Sequence, residues 1–124
     1  MRYKLILMLG SLLVSSGLHA GSLDGYWQHE KQPVWIEVQS EAGVGSVVRN
    51  DNRPEAVGFE MLRNLQKKNA EGDSWSGEVF AAPLGEYKAA EITLQDANTM
   101  KFKVKVGFMS RTVEWQRVES IPGE

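Results

Sequence analysis

The sequence predicts an all-β domain, a small antiparallel eight-stranded up-and-down barrel that follows an N-terminal signal peptide. Turn-forming residues recur roughly every eight to twelve positions, which is typical of sandwiches and barrels. Apolar and charged residues alternate in Lys101–Phe108, as expected for a strand with one buried face. Connections are short, and short connections favour antiparallel neighbours because parallel strands need long crossovers. A closed meander of eight strands uses this much chain and leaves no open edge.

The N-terminal segment has the three parts of a secretory signal peptide. Two positive charges in Met1–Lys4 precede the uncharged apolar run Leu5–Val14, and the small, weakly polar segment Ser15–Ala20 follows. A bilayer-spanning helix needs about 20 apolar residues, so this run is too short for a permanent anchor. We therefore predict a signal peptide over residues 1–20 and a periplasmic or secreted protein. Cleavage is placed after Ala20, with Gly17 as the alternative.

The remaining chain, residues 21–124, has the length of one compact domain. It contains no cysteine, which excludes disulfides and a lipid-anchored lipoprotein. Loss of Arg2 and Lys4 lowers the net charge from −2 to about −4. No basic face dominates, so we expect no nucleic-acid partner.

Seven segments have strand character, and one is ambiguous. Val57, Met61, Leu62 and Leu65 fit one face of a helix, although 57–62 fits a strand equally well, and 63–68 fits a helical turn or a loop. The other predicted strands, in chain order, are Gly25–Glu30, Pro33–Gln39, Gly43–Asn50, Ser74–Ala81, Tyr87–Leu94, Lys101–Phe108 and Arg111–Val118.

The two ends of the domain carry residues that suit barrel closure. In an eight-stranded barrel the first and last strands are neighbours, so Trp27 can plug one end while Arg117 lies on its indole. Gly25 leaves room on the same face for the chain to turn. This Gly-x-Trp start with a late arginine resembles the lipocalin and calycin superfamily.

Further motifs resemble a family of small secreted bacterial proteins known as domain of unknown function 2147. The motifs are the Trp75-Ser-Gly strand, the Pro83-Leu-Gly turn with Tyr87, the pair Gly107-Phe108, and the terminal Trp115-Gln-Arg. The family more often has tyrosine at the second position of the Gly-aromatic pair. The resemblance covers most of the processed chain. It implies a lipocalin-like barrel in the periplasm or outside the cell, and no established activity.

Residues that support catalysis or metal binding are scarce, so we expect no enzyme, no cofactor and no metal. His29 is the single histidine beyond the signal segment, and nothing in the sequence marks a nucleophile or carboxylate partner for it. One histidine without cysteine makes a zinc site improbable. The segment 51–55 lacks the spacing and glycine of an EF-hand loop, and no glycine-rich phosphate loop occurs.

The leading functional hypothesis is a carrier that holds a small apolar or amphipathic molecule inside the barrel. Eight strands enclose a space that side chains just fill or that holds one small ligand. Small residues at positions 45, 77 and 90 are expected to leave part of it open. The predicted ligand-lining residues are Trp75, Phe102, Val104 and Trp115, while Gly25, Trp27 and Arg117 close the barrel.

The alternative hypothesis is a solid barrel that works through its outer face as a cell-envelope or stress-related protein-interaction module. Trp35, Tyr26, Tyr87 and Phe80 fall on the face opposite the predicted core. They are expected to form an exposed aromatic patch of the kind that marks interaction sites.

Overall fold

The computed structural model describes residues 22–68 and 72–123, and these residues form a closed antiparallel barrel of eight strands. The predicted signal peptide lies outside the described residues. No helix in the described part of the chain is long and apolar enough to cross a membrane. The strands are β1 (Gly25–His29), β2 (Val34–Gln39), β3 (Val44–Asn50), β4 (Glu60–Lys67), β5 (Ser74–Ala81), β6 (Glu86–Asp96), β7 (Thr99–Val106) and β8 (Met109–Val118).

Each strand pairs with the next along the chain, and the barrel closes where β1 pairs with β8. Trp27 lies opposite Arg117 and His29 lies opposite Trp115 at this seam. The register puts alternate residues of every strand inside, because successive side chains point to opposite faces. The all-β fold class and the up-and-down barrel predicted from the alternation and the short connections are confirmed.

The ambiguous segment is a strand, preceded by a short 3-10 helix at Pro54–Ala56. Its helix-like spacing has a local cause. The pairing of β4 with β5 shifts register between Arg63 and Gln66, and Asn64 has a φ of 53°. The bulge breaks the alternation, so both Leu62 and Leu65 are buried in the core although they are three residues apart.

The strand connections divide the barrel into two ends. We call the end formed by the β1–β2, β3–β4, β5–β6 and β7–β8 connections the rim, and the opposite end the base. The β7–β8 turn differs from the sequence-based boundary. Strand β7 stops at Val106, and Gly107 takes a φ of 67° that starts a tight turn with Phe108 at its tip.

Large apolar side chains occupy the interior. One contiguous cluster joins residues from all eight strands. Its fully buried members include Trp27, Trp115, Phe102, Leu23, Ile36, Leu62, Ile92, Met100 and Val38, and no charged or polar residue is buried with them among the described residues. With no disulfide available, this core and the closed strand ladder stabilise the domain.

Candidate functional site

The base of the barrel is closed by an arginine lying on a tryptophan. The Arg117 guanidinium carbon is 4.4 Å from the centre of the Trp27 ring. The indole Nε1 of Trp27 donates a hydrogen bond of 2.9 Å to the carbonyl oxygen of Leu23. The tryptophan is therefore fixed from both sides, by a cation on its face and by the chain that precedes β1.

Arg117 also ties three segments together at the base. Its guanidinium donates to the carbonyl oxygens of Ser22 at 2.7 Å, Asp24 at 2.8 Å and Ala97 at 2.8 Å. Burial lowers the pKa of Arg117 from its usual value, and the nearby Asp24 carboxylate opposes that shift. The guanidinium stays charged because the pKa of arginine starts so high.

Gly25 is required at this closure for two reasons. Its φ of 128° lies where L side chains are strained, and a Cβ there would stand 3.1 Å from Nη1 of Arg117. The chain can therefore turn into β1 directly beneath the guanidinium only with glycine at this position.

The four predicted ligand-lining residues all lie inside the barrel. Phe102 and Trp115 are almost completely buried, and their ring centres are 5.4 Å apart. Trp75 faces Ile92 across the β5–β6 pair, and Val104 faces Ala90 across the β6–β7 pair. These side chains pack against the other members of the core cluster. Their role toward a ligand stays a prediction.

The space expected at the small interior residues is occupied by neighbouring side chains. A Cβ at Gly45 would stand 3.1 Å from Cβ of Leu62 and 3.2 Å from its Cδ2. A Cβ at Gly77 would stand 3.2 Å from the carbonyl oxygen of Arg63, 3.3 Å from Cδ1 of Leu62 and 3.4 Å from Cδ1 of Ile92. Ala90 is buried as well. The expectation of open space at these positions is wrong, because Leu62 and Ile92 extend across the glycines.

Two hollows on the described residues lie outside the barrel wall. One, of about 320 Å³, lies between β3, the 3-10 helix and the C-terminal residues Ile121 and Pro122. The other, of about 400 Å³, is bordered by Glu91, by residues 103 and 105 of β7, and by the turn at 107–110. Both are open to solvent, whereas a carrier encloses most of its ligand.

His29 has structural partners at the rim. Its ring packs edge-on against Trp115 with centres 4.9 Å apart. Its Nδ1 accepts hydrogen bonds from the backbone N–H of Lys31 at 3.0 Å and of Gln32 at 3.2 Å. Burial lowers the pKa of His29, partly opposed by Glu30. The neutral imidazole thus stabilises the β1–β2 turn.

Three aromatic rings pack together on the outside of the barrel near the rim. We call Phe59, Phe80 and Tyr87 the outer aromatic cluster. The ring of Phe80 is 5.0 Å from Phe59 and 5.3 Å from Tyr87, both edge-on, as aromatic pairs prefer. Phe80 and Tyr87 are half-buried and Phe59 is 42% exposed. The Tyr87 hydroxyl donates to the carbonyl oxygen of Glu60 at 2.6 Å.

The β4 bulge supplies a cation to this cluster. The guanidinium carbon of Arg63 lies 3.6 Å from the centre of the Tyr87 ring. Glu78 holds the arginine there, accepting from its Nε at 2.7 Å and from Nδ2 of Asn64 at 3.0 Å. These two hydrogen bonds, that from Arg63 first, lower the pKa of Glu78. Asn64, whose φ of 53° is left-handed, and Arg63 thus donate to the same carboxylate.

The predicted aromatic patch is only partly correct. Phe80 and Tyr87 belong to the outer cluster, whereas Trp35 is 6% exposed, so its predicted exposure is wrong. Arg49 lies 5.3 Å from the Trp35 ring centre and donates to the Pro122 carbonyl, which holds the C-terminal segment against this side of the barrel. Tyr26 is half-buried and has no ring partner among the described residues. Phe59 was missed because the sequence left its segment ambiguous.

Within residues 22–68 and 72–123, no group of three or more histidine, cysteine, aspartate or glutamate side chains is arranged to hold a metal ion. The described carboxylates with altered pKa, Glu55, Glu78 and Glu91, are at the surface and paired with Arg53, Arg63 and Lys68. These pairs stabilise charge at the surface and do not form a recessed acid–base site.

Comparison with known proteins identifies the family. The sequence model of a bacterial family described as "uncharacterized protein conserved in bacteria (DUF2147)" matches residues 25–117, from the first residue of β1 to the arginine that closes the base. The chain belongs to this family. Neither the curated proteins nor the solved structures contain a significant match.

Proposed function

We propose that this family member is an exported, non-enzymatic module that binds a protein of the cell envelope through its outer aromatic cluster. The observation that carries the proposal is the contrast between the two faces of the wall. Leu62 and Ile92 fill the interior where small residues would have left space, while Phe59, Phe80 and Tyr87 stay accessible outside.

The chemistry of the cluster suits a protein partner. Aromatic residues and arginine are enriched at protein interfaces, because they bury much surface at a small cost in conformational entropy. Here Arg63 is already held flat on Tyr87 by Glu78, so little ordering is needed on binding. The expected partner presents an apolar or aromatic side chain to the exposed edge of Phe59, with polar groups around it.

Site-specific photo-crosslinking in cells that express the full chain tests the proposal. A benzophenone amino acid replaces Phe59, and the matched control replaces Gln95, an exposed residue near the base. We expect a discrete crosslinked protein from position 59 and none from position 95. Adding Phe80→Ser should abolish the product. Absence of a product at 59, or equal products at both positions, would contradict the proposal.

One observation favours a second function, the carrier. The Nε1 of Trp115 is buried and has no hydrogen-bond partner among the described residues. Buried donors are nearly always satisfied, so an acceptor on a small molecule or an ordered water is expected there. Trp75, Phe102, Val104 and Trp115 would line such a site, and some core side chains would have to move to admit a guest.

Tryptophan fluorescence tests this second function. The native protein is titrated with fatty acids and other small apolar compounds, alongside Trp115→Phe, which removes the free donor and keeps an aromatic ring. A carrier should show saturable quenching that weakens in the variant. Unchanged emission across the panel would exclude it.

A further inference from the structure

The tip of the β7–β8 hairpin displays two large apolar side chains to solvent. Phe108 is 100% exposed and Met109 is 63% exposed. Gly107 directs the turn outward, with open space around its Cα. An exposed phenylalanine gains nothing in the isolated domain, since no neighbouring apolar surface covers it.

The remaining exposed apolar residues lie at the same end of the barrel. Val57, Phe59 and Leu84 are 55%, 42% and 48% exposed, and they belong to the β3–β4 and β5–β6 connections of the rim. No large hydrophobic residue of the described base is exposed. An apolar surface that approaches the molecule end-on at the rim would therefore meet all of them.

The hairpin that carries Phe108 is also the basic part of an acidic protein. Between Asp96 and Glu114 the chain has four cations, at positions 101, 103, 105 and 111, and no acidic residue. Lys103, Lys105 and Arg111 are exposed and form no ion pair within the described residues. Glu91, opposite Lys103, forms its ion pair with Lys68 at 2.9 Å, while its charge also acts on Lys103 and Lys105 from a greater distance. Glu114 lies 3.6 Å from Lys101.

We propose that the β7–β8 hairpin docks the barrel reversibly on an anionic lipid bilayer. Phe108 and Met109 enter the headgroup–acyl boundary, and Lys105 and Arg111 contact acidic headgroups. Apolar residues flanked by basic ones bind such surfaces through combined burial and electrostatic attraction. The four hairpin residues lie outside the protein-binding cluster proposed above, although Phe59 of that cluster shares the rim with them.

A second copy of the chain fits this hairpin less well than a membrane does. The barrel is closed and has no free strand edge for pairing among its eight strands. Two hairpins brought tip to tip would also place unpaired cations opposite one another, which is repulsive.

Vesicle flotation of the processed protein tests the proposal. Vesicles of phosphatidylcholine alone are compared with vesicles containing about a third phosphatidylglycerol. We expect at least tenfold more protein on the anionic vesicles, with binding that falls as salt rises, since salt screens exposed charges. Phe108→Ser with Met109→Ser should lower binding tenfold or more.

A matched pair of charge reversals distinguishes the effect of the hairpin's own charge on vesicle binding from the effect of the protein's net charge. Lys105→Glu and Lys67→Glu change the net charge equally, on exposed lysines at opposite ends of the barrel. Lys105→Glu removes one attractive charge from the anionic surface and adds one repulsive charge, so it should weaken binding by at least tenfold. Lys67→Glu should change it less than twofold.

Phe108→Trp reports insertion directly, because an indole entering the boundary emits at shorter wavelength and is quenched by brominated lipid. Equal binding to both vesicle types, binding unaffected by the Phe108/Met109 substitutions, or no spectral change for the introduced indole would overturn the proposal. A dimer in sedimentation that Phe108→Ser dissociates would also overturn it, by showing that a second copy occupies the hairpin.

Discussion

Arg117 lies with its guanidinium carbon 4.4 Å from the Trp27 ring centre, and its three nitrogens donate to carbonyl oxygens of residues 22, 24 and 97. One side chain near the end of the domain thus fixes the chain before β1, the β6–β7 turn and the indole that plugs the base. These contacts add to the β1–β8 strand pairing that closes the barrel.

Arg117→Met is expected to lower the free energy of unfolding by about 2–4 kcal/mol. Three charge-assisted hydrogen bonds and the cation–π contact are lost, and their carbonyl acceptors stay partly shielded from water. Arg117→Lys should recover less than half of the loss, because an ammonium cannot span three separated acceptors while lying flat on the ring. Urea unfolding followed by circular dichroism measures both variants.

The control for this prediction is Arg111→Met, which removes an exposed arginine from the same strand and should change stability by less than about 0.5 kcal/mol. If Arg117→Met were as mild as Arg111→Met, the base would be closed by packing alone.

Gly45→Ala is expected to destabilise the domain by about 1–3 kcal/mol. The added methyl would stand 3.1 Å from Cβ of Leu62, and a filled interior must shift to accept it. In an interior with free space, the same change would be neutral or stabilising by about 0.4–1 kcal/mol, through the entropy of the unfolded chain. Thermal and urea unfolding give the sign.

Gly77→Ala offers a rescue test of the same packing, because its Cβ would meet the outer methyl groups of Leu62 and Ile92 as well as the carbonyl oxygen of Arg63. Combining it with Leu62→Val removes one of these contacts. We expect the double variant to lose less free energy of unfolding than the two single variants lose together. Strictly additive losses would argue against contact between the two side chains.

Tyr87→Phe is expected to reduce stability by about 0.5–1.5 kcal/mol, because the 2.6 Å hydrogen bond to the Glu60 carbonyl is lost. The ring contacts with Phe80 and Arg63 remain.

Phe59→Ala should lower the free energy of unfolding by less than the loss of a buried core phenylalanine does, since the ring of Phe59 is 42% exposed. Both variants, Tyr87→Phe and Phe59→Ala, are measured by urea unfolding, and a large loss at Phe59 would mean that the cluster is structural.

His29 should titrate below its ordinary pKa of 6.5, since burial disfavours the imidazolium. The unfolded chain then binds a proton at higher pH than the folded chain. The neutral ring makes its full contribution to the free energy of unfolding above pH 6.5. This contribution is lost as the pH falls through the lowered pKa of His29 in the folded state. Protonation also ends the two hydrogen bonds that Nδ1 accepts.

Proton NMR of the chain without residues 1–20, in which His29 is the single histidine, gives the folded pKa directly. A value at or above 6.5 would contradict the assignment. His29→Gln should flatten the part of the stability profile just below pH 6.5, where the unfolded chain takes up a proton and the folded chain does not.

Strand alternation made most of the fold predictable. Phe102, Val104 and Val106 alternate with lysines, and they lie on the inner face of β7 as that pattern requires. The seam could be anticipated too, because an eight-stranded meander must bring its first and last strands together. These features depend on local periodicity and chain order, both of which are readable from sequence.

Three features could not be predicted because they depend on tertiary contacts. The bulge at Asn64 buries Leu62 and Leu65 at a spacing that looks helical. Leu62 reaches across two glycines, which reverses the expectation of open space. Trp35 points outward, yet Arg49 lies over it and holds the C-terminal segment beside it. Neither a bulge nor a C-terminal segment that covers the barrel from outside can be recognised from the alternation of apolar and polar residues.

The central claim is that the barrel is filled and acts through its outside. Native mass spectrometry of the protein, purified gently from bacterial cells that express the full chain and compared before and after solvent extraction, tests this claim most directly. The account predicts the same mass, that of the bare chain, in both spectra. A heavier species that loses a discrete small molecule on extraction would contradict it.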